Sequence, residues 1–247
     1  MAAAATGIAA SVVGAAAAPE PNLPYDAVAF DGLVIFDVRP VAAAAEALFP
    51  GRGAALIAAW RTRQFEYQWL RAIGGRYVDF MRTTEDALDG AAMQFGIALD
   101  GAAKVRLLNG FVEPQVWPDV AGALSALRES GLRLVMLSNM NGAMMANGLA
   151  RGGVAPLFDA VLSTDAIATY KPDPRAYRLG VDALHAPKER ILFAAFAGWD
   201  VAGAKWFGYP TFWVNRVGAP HEQLGATADG AGDDLAALVR FATEPGR

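Results

Sequence analysis

The chain has 247 residues, a formal net charge of −4 and a hydrophobic content of 54%. It contains no cysteine and only two histidines, His185 and His221. That excludes disulfides, thiol nucleophiles, zinc–thiolate sites and His-rich metal centres, and argues against a Ser–His–Asp triad.

The first 24 residues are rich in Ala, Gly and Val, end in a run of small residues and give way to a Pro-rich linker. They resemble the apolar region and cleavage site of an export leader, although the first basic residue is Arg39. The expected location is the periplasm if this stretch is a leader remnant, and the cytoplasm if it is an Ala-rich tail. Its poverty in Leu and Ile makes it a poor membrane span.

AVAF (27–30) reads as a buried strand ending at Asp31, and a second apolar run, LVIF, ends at Asp37. From 41 to 112 the spacing predicts only helices. In the longest, Trp60, Gln64, Tyr67 and Leu70 fall on one face. From Pro118 onward helices alternate with the apolar runs LRLVMLSN, FDAVLST, ILFAAFA and PTFWVNR. This predicts an α/β fold: a Rossmann-like parallel core from 25–40 and 113–247, a helical cap from 41–112, and a tail from 1–24.

In such a sheet, ligands sit beyond the carboxyl ends of the strands. Those ends carry Asp31, then Ser138 and Asn139, then the loop from Ser163 to Lys171, then Trp199 and Asp200. Each element alone has an ordinary structural use: a helix cap, a turn, a first-turn carboxylate. Their joint order at one sheet edge points to a functional site. No basic patch with interleaved aromatics marks a nucleic-acid partner.

The motifs AVAFD, MLSN, STDAIATYKPDPRAY and GWDVAGAKWFGYPTFWVNR, in this order, resemble those of the haloacid dehalogenase-like hydrolases. The stretch FPGRGAALIAAWRTRQFEYQWLRAIGGRYVDF is similar to the cap of the type II 2-haloacid dehalogenases. The resemblance spans about residues 26–240 and implies hydrolysis of short 2-haloalkanoic acids to 2-hydroxy acids through an aspartyl ester. It puts Asp31 at the nucleophile and Asp37 at a structural position leading into the cap. It further implies that Lys171 keeps Asp31 ionised, that Arg61 with Asn139 receives the halide, and that Ser138 holds the substrate carboxylate. Tyr177 matches the family tyrosine, Asp200 would orient or deprotonate water, and Leu33, Phe65, Phe80 and Trp199 would form a dry wall. No cofactor or metal is expected, the partner is a halogenated carboxylate, and the assembly a homodimer. GLVI lacks the family's Thr, and Ala195 and Ala197 stand where Ser and Asn are usual, which implies a drier site. The competing readings are a metal-dependent phosphatase of the same superfamily, disfavoured by Leu33 two residues after Asp31, and a non-catalytic small-anion binder.

Overall fold

The structure, a computed structural model, describes residues 23–244, so the leader reading falls almost wholly outside the described residues. Strand β1 (Ala27–Phe30) runs into a single helical turn, α1 (Gly32–Ile35), and a two-residue strand, β2 (Phe36–Asp37). Four helices follow: α2 (Arg39–Leu48), α3 (Gly53–Ile73), α4 (Phe80–Gln94) and α5 (Gly101–Val112). After β3 (Gln115–Val116) come α6 (Val120–Glu129), β4 (Arg133–Ser138), α7 (Gly142–Arg151) and β5 (Ala160–Ser163). The chain closes with α8 (Pro174–Leu184), β6 (Ile191–Ala195), α9 (Gly198–Phe207), β7 (Thr211–Val214), β8 (Gly230–Gly232) and α10 (Leu235–Thr243).

Among the described residues, six strands form one parallel sheet in the order β5-β4-β1-β6-β7-β8. Helices cover both faces, so β1 is buried along its whole length, and this is why AVAF shows no polar alternation. Phe30 pairs with Met136 on one side and Ala194 on the other, which levels the ends of β1, β4 and β6. Asp31, Ser138 and the start of α9 therefore converge on one edge, where the chain leaves β1 for both neighbours.

Two elements differ from expectation. The sheet gains an edge strand, β8, whose sequence Gly-Ala-Gly carries no strand signature. Its glycines are required by packing: a Cβ on Gly230 would lie 2.4 Å from the Phe241 ring, and one on Gly232 2.4 Å from Ala237. The other is the antiparallel ribbon of β2 and β3, which pairs Phe36 with Val116 and Asp37 with Gln115 at the base of the helical insertion.

Helix α3 also presents a different face inward. Leu56, Trp60, Gln64 and Gln68 are buried, at a strict four-residue step, while Leu70 is 66% exposed. Two of the four buried residues are polar, which hides the stripe from a reading by hydrophobicity. Their burial is tolerated because each finds a partner. Gln64 donates to Thr84 Oγ1 at 2.5 Å, beside the Trp60 indole bond to the Thr84 carbonyl at 2.8 Å. Asp79 and Asp100 cap α4 and α5 by accepting the orphan backbone N–H groups of their first turns. Burial of each large apolar side chain such as Leu56 or Leu107 contributes about 1.5–3 kcal/mol.

Candidate active site

Asp31 ends β1 and caps α1: its Oδ2 accepts from the Leu33 N–H at 3.0 Å. That bond turns Oδ1 toward Lys171, whose Nζ donates to it at 2.6 Å. The same ammonium donates to Asp200 Oδ2 at 2.6 Å, and Asp200 Oδ1 accepts from the Tyr177 hydroxyl at 2.7 Å. Gly32 makes the approach of this loop to β4 feasible, because a Cβ there would lie 2.4 Å from Ser138 Oγ.

Lys171 is completely buried. Burial alone would push its pKa down, but Asp200 and Asp31 outweigh that cost and hold it above the usual lysine value. Burial pushes Asp200 up to about 6, against the pull of Lys171 and with the help of repulsion from Asp31. The Tyr177 hydroxyl is raised well above its ordinary value, first by burial and then by Asp200. The ammonium bridges the two carboxylates. With Leu33 two residues beyond Asp31, this donor set does not fit magnesium-dependent phosphoryl transfer.

Above Asp31 lies a cavity of about 50 Å³ between the sheet edge and the helical insertion. Ser138 and Asn139 line it from the core, and Leu33 from α1. Arg61, Phe65 and Phe80 come from the insertion, with Trp199 at the start of α9. Phe65 meets Trp199 edge-on at 5.3 Å and stacks on Trp69 at 5.7 Å. The Trp69 indole N–H donates to the Lys171 carbonyl at 3.2 Å, sealing the insertion to the loop that carries the lysine.

Two expectations change. Tyr177 and Asp200 do not line the cavity; both are buried one layer behind it. Both Asp200 oxygens are engaged, by Tyr177 and by Lys171. Tyr177 packs against Phe193 and Phe207 beneath it, away from the substrate wall.

Beside Gln64 and Ala197, the structure brings in residues the sequence did not single out: Gln68, Phe111, Met140 and Phe196. Among these, Gln68 accepts from Asn139 Nδ2 at 3.0 Å, while its own Nε2 has no partner among the described residues. The Trp199 Nε1 is likewise buried without one. A stripe read at a four-residue step from Trp60 would have reached Gln68 as well as Gln64.

Arg61 stands at the cavity mouth. Water reaches it, yet surrounding protein crowds its guanidinium, and that desolvation lowers its pKa. It makes no ion pair or hydrogen bond among the described residues. Ser138 Oγ accepts from the Met140 N–H at 3.1 Å and keeps its own hydrogen unspent. Asp37, by contrast, is tied to Arg39 at the base of the insertion and lines no part of this cavity.

A buried carboxylate beside a buried lysine at the end of a central parallel strand, under a helical insertion, defines a class of hydrolase. The family model for haloacid dehalogenase-like hydrolases matches residues 20–208, and the chain belongs to that family. It is 37% identical over 214 residues to the (S)-2-haloacid dehalogenase of Pseudomonas sp. (strain YL), covering 86% of this chain and 92% of that protein. It is 38% identical over 205 residues to haloacetate dehalogenase H-2 of Moraxella sp. (strain B), covering 83% and 92%. The crystal structure of the L-2-haloacid dehalogenase RSc1362 superposes with a TM-score of 0.87 at 40% identity, over 89% of this chain and 99% of that one. That of the Xanthobacter autotrophicus L-2-haloacid dehalogenase with chloropropionic acid covalently bound does so at 0.81 and 31%, over 90% and 100%.

Proposed function

We propose that this protein hydrolyses 2-haloalkanoic acids to 2-hydroxy acids through an ester on Asp31, with 41–112 acting as a cap over the site. The observation that carries the reading is the placement of Lys171 at 2.6 Å from both Asp31 and Asp200, beneath a cavity whose mouth holds an unpaired Arg61. The covalent complex of the Xanthobacter relative supports it.

In the first step an Asp31 oxygen attacks C2, the carbon–halogen bond breaks and halide leaves with the bonding pair. In the second, water attacks the ester carbonyl, the hydroxy acid departs with an Asp31 oxygen, and the carboxylate is restored with an oxygen from water. The net result is one halide and one proton released. Substrate and nucleophile are both anions, so the site must offset their repulsion. Lys171 does this for Asp31, and Arg61, Ser138 and the free N–H groups of Gln68 and Trp199 do it for substrate carboxylate and halide. Asp200 acts as a positioning residue: with Tyr177 behind it, it holds Lys171 in place.

The test is a single turnover in heavy-oxygen water with enzyme in excess. The hydroxyl of the first product should be unlabelled and the label should enter Asp31; label in that first product would overturn the covalent route. Asp31→Asn should abolish halide release and leave the fold intact.

We further propose a homodimer. Leu70, Ile73, Trp206 and Leu224 are exposed, and the last three line one apolar groove with Trp69. Light scattering should give twice 26.0 kDa; a particle of monomer mass at micromolar concentration would refute this.

A further inference from the structure

A second chamber adjoins the catalytic cavity, and the two share Leu33, Arg61, Gln64, Phe65, Phe111 and Phe196 as walls. It is the larger, about 150 Å³ against about 50 Å³. Beyond the shared walls it is bounded by Val38, Val41, Ile57, Trp60, Trp117 and Val217. Its polar members are largely spoken for. Arg39 is held by Asp37 and lies 4.4 Å over the Trp117 ring, and Gln64 is held by Thr84. Arg61 lines both spaces.

Apart from Arg61, a chamber with such walls offers little to a charged or hydrogen-bonding group and favours hydrocarbon. An apolar protein cavity of roughly 150 Å³ is the size that accommodates one benzene ring. Leu33 lines both spaces, and its own N–H is committed to Asp31, so the chamber lies next to the nucleophile. A substituent on the carbon that Asp31 attacks would point toward the chamber.

We infer that the chamber takes the side chain on C2 of the substrate, and that the protein favours 2-halo acids bearing a butyl- to phenyl-sized apolar group over 2-chloropropionate. This rests on the dehalogenase reading and adds the substrate class to it. Hydrocarbon burial that is equal in the bound substrate and the transition state lowers KM and leaves kcat unchanged. Each added methylene should lower KM about four-fold, from the transfer free energy of a buried CH2.

The experiment compares chloride release from (S)-2-chloropropionate and (S)-2-chlorohexanoate by the full chain and by two variants. In the parent, kcat/KM should rise about sixty-fold over the three added methylenes, with the change in KM. Ile57→Phe fills the chamber from α3, and Val217→Trp narrows it from a residue that is 58% exposed, where bulk does not threaten folding. Neither residue lines the catalytic cavity. Both variants should keep the parent's kinetics on 2-chloropropionate and lose the gain on 2-chlorohexanoate. Chloride from 2-chloropropionate with weaker activity on 2-chlorohexanoate, or a gain that survives both variants, overturns the chamber's role alone. No chloride from either acid overturns the dehalogenase reading beneath it.

Discussion

Asn139 and Gln68 join the sheet edge to the helical insertion through one hydrogen bond of 3.0 Å, and its direction is set from below. Asn139 Oδ1 accepts from the Lys171 backbone N–H at 2.9 Å and from Thr164 Oγ1 at 3.3 Å. The Asn139 amide nitrogen must therefore face Gln68, and Gln68 must answer with its oxygen. Its Nε2 is left as the spare donor of a residue that lines the cavity.

Gln68→Glu tests that polarity with almost no change in shape. The substitution removes the spare N–H and adds negative charge beside an anionic substrate. A hydrogen bond to a charged group is worth about 1.5–3 kcal/mol, so KM should rise about ten- to hundred-fold. Steady-state kinetics on 2-chloropropionate measure it, and an unchanged KM would show that Gln68 does not meet the substrate.

Lys171→Met should destabilise the fold as well as end turnover. It leaves Asp31 and Asp200 buried without their shared cation, and removing one partner of a buried ion pair costs about 3–5 kcal/mol. Urea unfolding at neutral pH should show a lowered midpoint. The double variant Lys171→Met with Asp200→Leu should recover much of that stability and none of the activity.

The raised pKa of Asp200 predicts an acid limb in kcat centred near pH 6. Below it Asp200 is neutral, Lys171 turns its full charge on Asp31, and the nucleophile weakens. The sign for stability is opposite. The folded state takes up this proton at a higher pH than the unfolded chain, so this group makes folding more favourable as pH falls from about 6 toward 4. Activity should therefore fade between pH 7 and 5 without a matching loss in melting temperature. Asp200→Asn should remove the limb, and a limb persisting near pH 6 in that variant would assign it to another group.

Gly32→Ala is a small change at a crowded point. The new methyl would meet Ser138 Oγ at 2.4 Å and Met140 Sδ at 3.2 Å. The loop must shift, at about 1–3 kcal/mol in stability, and a displacement near 1 Å costs on the order of a hundred-fold in rate. Parental turnover in this variant would mean that the placement of Asp31 tolerates far more slack than the contacts imply.

Much of the architecture is readable from pattern. The apolar runs before Asp31, Ser138 and Asp200 are strands of the sheet because burial on both faces demands unbroken hydrophobic sequence. What escapes is whatever depends on distant packing. β8 is held by its neighbours, Phe212 and Phe241, and carries no propensity of its own. The inner face of α3 is masked by Gln64 and Gln68, whose polarity makes sense only beside Thr84 and Asn139. Asp200 and Tyr177 are legible as members of the constellation, but their depth is not: a motif gives order along the chain, and only the register of β6 and the start of α8 sets Tyr177 behind Asp200.

The β2–β3 ribbon ties the outgoing and returning chains of the helical insertion together, beside the bonds that Gln68, Trp69 and Tyr77 make with the core. Trp117 follows that ribbon directly, wedged between Arg39 at 4.4 Å and Arg216 at 4.6 Å, with its indole N–H on the Leu33 carbonyl at 3.2 Å. The backbone N–H of Leu33 is in turn the one that grips Asp31. Trp117 therefore reaches Asp31 through the two backbone groups of Leu33. The base of the insertion and the bond that orients Asp31 are thus linked through one tryptophan and one leucine.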